Sequence, residues 1–345
     1  MKRIPSFPSP FHRRHPTRLF FSHGSTNCIP TPPADLVAKA QSIRKACSRY
    51  APFDFTAPSP RVGVLTAHFG SETHYQSALQ TYLLHALVHG HEVHVLCDPI
   101  VDAIWNKQAF VLKVMMEEIL QSSDEGLDWM MWADRDTIIL DQCRPISSFL
   151  PPSSVPFTPS AEEQQTGFSF LSKLGAFFRL PIPSYERKEI HLLVSNDKNG
   201  LNAGIFLLRV SQLSLALLTA ILSHPTYRPS TRLRFSEQTA MELLTRSSAF
   251  RPYTQVVPQH WFNSYTGARV FAERMNTTGL EGGFREGYVR RGDFLVHFAG
   301  NVNKGQNVER WMNMLDDEGI VWQGKGGVQR NVSREVEDFW RGLGY

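Results

Sequence analysis

The run DWMMWAD (128–134) is an apolar strand that ends directly on acid, and Asp134-Arg135-Asp136 closes it. Two strand–helix units precede it. RVGVLTA (61–67) leads through the polar HFGSET into a helix over 73–89. Leu79, Leu83, Leu84, Leu87 and Val88 mark one apolar face of that helix, and Gly90 stops it. EVHVLCD (92–98) is the second strand, followed by a helix from Asn106 to about Gln121. Strand, helix, strand, helix, strand opens an α/β sheet, and ligands of such sheets bind beyond the carboxyl ends of the strands.

Further along, IHLLVSN (190–196), GIFLLRV (204–210), RPYTQVVP (251–258) and DFLVHFA (293–299) read as strands. The stretches 211–223, 236–247, 306–317 and 334–342 read as helices. Residues 1–60 read as a leader: seven prolines and no acid before Asp35 predict disorder over 1–34, and a short helix runs from Pro33 to about Tyr50. Residues 61–345 read as one domain, with a nucleotide half over 61–140 and an acceptor half over 141–345.

The formal charge of +4 belongs to that leader, where Lys2, Arg3, Arg13, Arg14 and Arg18 stand without an acid. The rest is near neutral, which excludes a nucleic-acid partner on charge grounds. No apolar run approaches the ~20 residues that cross a bilayer. The four cysteines are too few for a dense disulfide scaffold, and no C-x-x-C pair suggests zinc. There is no G-x-G-x-x-G and no Walker motif.

Two carboxylates at i and i+2 on an extended segment point the same way. Asp134 and Asp136 are therefore candidate ligands of a hard cation that bridges to a diphosphate. Asp134, Asp136 and Thr137 also spell D-x-D-x-T, the nucleophile loop of haloacid-dehalogenase-type phosphatases, with Asp316-Asp317 as the late acidic pair. Against that, two strand–helix units come before the loop, and Asp316 sits at a helix end.

Seven blocks in order resemble glycosyltransferase family 34, which groups fungal galactosyl- and mannosyltransferases with plant xyloglucan xylosyltransferases. They are ALVHGHEVHVL (86–96), the lysine-bearing helix 107–120, WADRDTIIL (132–140), GLNAGIFLLR (200–209), SEQTAM (236–241), VPQHWFNSY (257–265) and HFAGN (297–301). The resemblance implies a GT-A fold, a Rossmann-like nucleotide-sugar half fused to an acceptor half through a continuous mixed sheet. It implies metal-dependent transfer of a hexose, with retention of configuration, from a nucleotide-sugar to a glycan acceptor. UDP-galactose is the leading donor, with GDP-mannose and UDP-xylose as alternatives, and the cation is Mn²⁺ or Mg²⁺.

Carried onto this sequence, the resemblance makes Asp134, Asp136 and His297 the metal ligands. Glu237 and Gln238 face the anomeric carbon, Asn202 and Gly204 wall the donor sugar, and Trp261, Phe262 and Asn263 shape the cleft. His68 and Phe69, with Gly70, approach base and ribose, and Lys304 meets the diphosphate from a position shifted relative to plant members. As a purely local reading, Ser236 is a helix N-cap. The family's cysteine after His-Phe-x-Gly is replaced by Asn301, and its usual N-terminal anchor has no counterpart in the leader. The resemblance places the protein in the Golgi lumen or membrane, where the sequons at Asn276 and Asn331 are usable. A member that has lost catalysis and only binds glycan is the non-enzyme alternative.

Overall fold

The computed structural model describes residues 18–70, 72–121, 126–152, 189–266, 287–318, 320–323 and 328–345. In chain order the elements are β1 (Phe20–His23), α1 (Ala34–Tyr50), β2 (Val62–Ala67), α2 (Thr73–His89), β3 (Val93–Leu96), α3 (Asn106–Ile119), β4 (Trp129–Ala133) and β5 (Thr137–Ile139). There follow β6 (Leu192–Asp197), β7 (Gly200–Arg209), α4 (Gln212–Tyr227), α5 (Ser236–Thr245), β8 (Thr254–Val257), β9 (Ser264–Tyr265), β10 (Leu295–His297), α6 (Lys304–Glu318) and α7 (Val332–Gly342). The sequon at Asn276 lies outside the described residues.

Seven strands form one sheet in the order β1-β3-β2-β4-β7-β6-β8. The half β1-β3-β2-β4 is parallel, β7 runs antiparallel to both β4 and β6, and β8 is parallel to β6. This is the continuous mixed α/β sheet expected, with the parallel nucleotide-type half leading into a mixed half. A three-stranded sheet β5-β10-β9 stands beside it.

The main sheet is covered on both faces, so its strands are apolar throughout rather than alternating. Trp129, Met131, Ile205 and Leu207 face one layer with Leu79, Leu83 and Trp340 from α2 and α7. Met130, Trp132, Phe206 and Leu208 face the other with Phe110, Val114 and Leu217 from α3 and α4. The small sheet packs Ile138 and Val296 against Val308 and Trp311 of α6. Gly90 caps α2 at φ +77°, as its position after the apolar period required.

The expected leader is corrected by β1 and by two cross-links. Phe20–His23 adds a parallel edge strand to β3, and Phe20 packs against the large core. Four residues are too short for a visible period, so the tertiary pairing decides this strand. Helix α1 forms as expected and buries Ala40 beside Leu84 and Val88 of α2. All four cysteines pair, Cys28 with Cys97 and Cys47 with Cys143. The first bridge fastens the N-terminal segment to the end of β3 and the second to the loop after β5, so the folded unit begins by residue 18 rather than at 61. No cysteine spacing announced these pairs, because connectivity is a property of the fold.

Trp261 and Phe262 are also corrected. Both are fully buried in the large core, against Phe149, and line no cleft.

The Cys47–Cys143 bridge closes a loop of 96 residues, worth about 4.7 kcal/mol in denatured-chain entropy. Replacing both cysteines by serine is expected to lower urea stability by about that amount. An unchanged urea midpoint means that the bridge does not form.

Candidate functional site

The site is built where β4 ends. Ala133 pairs with Ile205 of β7, and one step further the Asp134 amide donates to Gly204 O at 2.8 Å. The chain then bends at Arg135 and Asp136 before β5 begins. Thr137 Oγ1 donates to Asp134 O at 2.6 Å across that bend, and Tyr82 of α2 hydrogen-bonds Thr137 Oγ1 beneath it. Strand β5 runs antiparallel to β10 with Thr137 opposite His297, and the Phe298 amide donates to Asp136 O at 2.9 Å. The acidic triplet is therefore the joint between the two sheets. Its carboxylates converge through a bend, not through the simple alternation of an extended strand.

Asp134, Asp136 and His297 offer ligand atoms that all lie within 4.8 Å of one another. Asp136 and His297 are buried, and His297 Nε2 stands 3.5 Å from Asp136 Oδ1. The mixed oxygen and imidazole set fits a divalent cation such as Mn²⁺. Gly204 completes the fit: a Cβ there would collide with the His297 ring and crowd Asn202 Oδ1 and Asp134 Oδ2. Trp132 Nε1 donates to Asp134 Oδ1 at 2.7 Å.

Two lysines hold the acids. Lys107 of α3 was not singled out from the sequence as a site residue. Its buried ammonium reaches Asp134 Oδ1 at 3.0 Å, Glu237 Oε1 at 3.4 Å and Ala203 O at 2.8 Å. A lysine on the apolar face of a helix was the available signal. Burial alone would lower its pKa, but Asp134 and Glu237 outweigh that and raise it. Lys304 opens α6 and pairs with Asp136 Oδ2 at 2.6 Å, so its shifted sequence position still delivers it to the acidic pair. Burial would raise the Asp136 carboxyl; His297, when its Nε2 carries a proton, and Lys304 override it and hold it well below the usual carboxylate range.

Glu237 is fully buried on α5, and its Oε2 has no partner among the described residues. Burial raises its pKa, Lys107 opposes the rise and Asp134 adds to it. The expected Ser236 N-cap is corrected. Phe235 occupies the cap without a side-chain bond, and Ser236 stands at φ +45°, a left-handed conformation that costs about 1 kcal/mol one residue before Glu237. Gln238 turns aside, its Oε1 accepting from the Ala203 amide at 3.1 Å, which ties α5 to β7.

Asn202 is buried with both ends of its amide engaged by protein, to Gly204 N, Asn263, Asp197 and Tyr265. It braces the wall from inside. In the loop after β2, Arg135 Nη1 donates to Phe69 O at 2.7 Å, which pins His68 and Phe69 beside the acidic triplet. The His68 ring is buried and neither nitrogen has a partner among the described residues. Burial, then Arg135, push its pKa down, so it stays neutral.

A parallel half joined to a mixed half, with an acid–acid–imidazole cluster beyond the carboxyl end of β4, the middle strand of the seven, defines an α/β protein with a candidate metal site at its sheet joint. Comparison with known proteins agrees. A sequence model of the galactosyl transferase GMA12/MNN10 family matches residues 85–307, and the chain belongs to that family. A probable alpha-1,2-galactosyltransferase, gmh1 of Schizosaccharomyces pombe, is 25% identical over 222 residues. Those cover 63% of this chain and 59% of that protein, so the chain spans little more than half the relative's length. Solved structures with some likeness include a glycosyltransferase involved in glycosylation of the major capsid of PBCV-1. Its TM-score is 0.45 and its identity 12%, over 72% of this chain and 99% of that one. Another is the glycosyltransferase GlyE of Streptococcus pneumoniae, with TM-score 0.39 and 9% identity, over 75% and 63%. The phosphatase reading finds no support here: Asp316 and Asp317 fall within α6, not at a strand end.

Removing one partner of a buried charge cluster typically costs 3–5 kcal/mol. Lys107→Met is therefore expected to lose about 3 kcal/mol at pH 8. Glu237 already has a raised folded pKa, and losing Lys107 raises it further. The native variant then takes up a proton more readily than the unfolded chain, so its deficit shrinks as pH falls toward the ordinary carboxylate range. Urea unfolding at pH 8 and pH 5 checks this; an equal deficit at both means that Lys107 does not neutralise Glu237.

Proposed function

We propose that the protein is a metal-dependent, retaining glycosyltransferase that moves a hexose from a nucleotide-sugar to a glycan acceptor. The observation that carries the reading is the convergence of Asp134, Asp136 and His297 in a chain of this family. Galactose is the favoured sugar, supported by the galactosyltransferase name of the yeast relative. UDP-galactose is the donor proposed, and GDP-mannose and UDP-xylose are the competitors to test against it.

Asp134, Asp136 and His297 would hold Mn²⁺ or Mg²⁺, which when bound supplies positive charge beside a departing diphosphate. The remaining work falls to the chain's own side chains. Lys304, a third exposed and already among the acids, brings an ammonium to a phosphate oxygen. Glu237 shares the Lys107 ammonium with Asp134, so its carboxylate stands one cation's width from the metal ligands. There it stabilises positive charge that grows on the anomeric carbon. Lys107 favours the ionised form of that carboxylate against its burial, and Gln238 and Asn202 hold the β7 backbone that faces the sugar. His68 and Phe69, fastened by Arg135, are the contacts proposed for base and ribose. The buried His68 nitrogens offer one donor and one acceptor in the neutral ring.

We place the protein in the lumen of the secretory pathway, the Golgi by family. Two disulfides support this, since such bridges persist in oxidising compartments. Among the described residues no helix is long and apolar enough to cross a membrane. Asn331, the acceptor of the second sequon, is exposed, and its side chain caps α7 by accepting from the Arg334 amide at 3.3 Å. That bond uses the carbonyl oxygen and leaves the amide nitrogen to carry a sugar. Protein secreted through a eukaryotic lumen is expected to shift on endoglycosidase treatment, with the Asn331→Gln variant losing a glycan. No change in that variant's mobility removes Asn331 as an acceptor.

A panel of nucleotide-sugars with and without Mn²⁺ tests the activity. A donor that binds only the native state at 100 times its Kd adds about 2.7 kcal/mol, so UDP-galactose with Mn²⁺ is expected to raise the midpoint by several degrees. Asp136→Ala is expected to abolish that shift and to cut transfer by at least about 100-fold, the scale of one lost electrostatic contact in a transition state. Normal turnover by Asp136→Ala overturns the mechanism. Donor binding without transfer or hydrolysis identifies a member that has lost catalysis.

A further inference from the structure

Behind His297 runs a chain of side-chain hydrogen bonds with a fixed direction. His297 Nδ1 lies 2.8 Å from Asn263 Oδ1. Asn263 Nδ2 donates to Asn202 Oδ1 at 2.8 Å and to Ser195 Oγ at 3.0 Å. Asn202 Oδ1 also accepts from the Gly204 amide at 3.0 Å. Asn202 Nδ2 donates to Asp197 Oδ2 at 3.2 Å and to Tyr265 Oη at 2.8 Å, and Tyr265 Oη donates to the same Asp197 oxygen at 2.7 Å.

Either amide taken alone could be turned over, exchanging donor for acceptor. The ends of the chain forbid it. A backbone N–H cannot accept, so Gly204 requires an oxygen of Asn202. An ionised carboxylate cannot donate, so Asp197 requires the nitrogen of Asn202. With Asn202 fixed, its Oδ1 demands a donor from Asn263, which leaves Asn263 Oδ1 for His297. That oxygen accepts only from a protonated Nδ1. The neutral ring is then left with its lone pair on Nε2, the atom that faces Asp136.

We infer that Asp197, together with the Gly204 amide, is a positioning device that selects the Nδ1–H tautomer of His297 through Asn202 and Asn263 and so presents Nε2 as a ready metal ligand. Asp197 sits at the end of β6 and is only partly buried; its other oxygen accepts from the Asn199 amide at 2.6 Å. It touches neither metal ligand nor substrate, and acts by direction alone. Tyr265 reinforces the Asp197–Asn202 contact without setting its sense. The inference rests on the metal reading above for its purpose, but the tautomer can be measured without a metal.

The test uses the full chain with ¹⁵N-labelled histidine, free of metal, at pH 8. Long-range ¹H–¹⁵N spectra distinguish a pyrrole-type Nδ1 from a pyrrole-type Nε2. The wild type is expected to show His297 with the proton on Nδ1 alone. Asn202→Leu, which cuts Asn263 off from both Asp197 and the Gly204 amide, is expected to show a mixture of tautomers and to bind Mn²⁺ about 10–100-fold more weakly, the usual effect of losing outer support of a metal-ligating histidine. Tyr265→Phe, which keeps the carboxylate, is expected to retain the single tautomer. Thermal midpoints of the variants separate this effect from unfolding. A wild-type His297 protonated on Nε2 overturns the inference on its own, as does an Asn202→Leu protein with one Nδ1–H tautomer and unchanged Mn²⁺ affinity. A wild type with the Nδ1–H tautomer but no Mn²⁺ binding sinks the metal reading and leaves the orientation of the chain standing.

Discussion

The antiparallel ladder between β4 and β7 carries one hydrogen bond beyond the strand proper, from the Asp134 amide to Gly204 O. The arrangement of the site depends on that bond. It sets the first metal-ligand candidate against Gly204, whose lack of a side chain makes room for the His297 ring. Because β7 reverses direction relative to the parallel half, its amino-terminal stretch arrives at the edge where β4 ends. Asn202, Ala203 and Gly204 are thereby delivered together, and each does separate work: the first braces Asn263, the second receives Lys107 and Gln238, the third leaves a gap.

Charge balance in the site follows from the same geometry. Three carboxylates with little solvent are tolerable only with cations close by, and the two lysines divide them. Lys107 spans Asp134 and Glu237 from behind the sheet, and Lys304 meets Asp136 from the start of α6. The rear lysine is buried and fixed; the front one is a third exposed and free to follow a ligand.

Much of this was legible in the sequence, and the exceptions share a cause. The strands β2, β3, β4, β6 and β7 declared themselves because their apolar runs are dictated by burial on two faces, and α2 because its period and its terminal glycine agree. The acidic triplet was legible for the same reason, as acid where an apolar run stops. What stayed hidden depends on partners distant in the chain. Strand β1 exists because β3 has an open edge, and the disulfides because β1 brings Cys28 to the end of β3 and α1 brings Cys47 to the loop after β5. Lys107 looked like one charge on a helix until α5 brought Glu237 to it. Trp261 and Phe262 misled in the opposite direction: aromatic residues beside a functional asparagine suit a sugar cleft and a core equally well, and only the packing of Phe149 and α7 against them decides.

The two cross-links also define how the fold bears load. A pull on the N-terminal side would first peel four residues of β1 from the sheet edge, then stop at Cys28, where the tension passes straight into Cys97 at the end of β3. Helix α1 and the loop beyond it would carry none of it. Traction from that side therefore reaches the parallel half as a point force on a covalent anchor, while the acidic edge, held through β4 and β7, stays out of the line of stress.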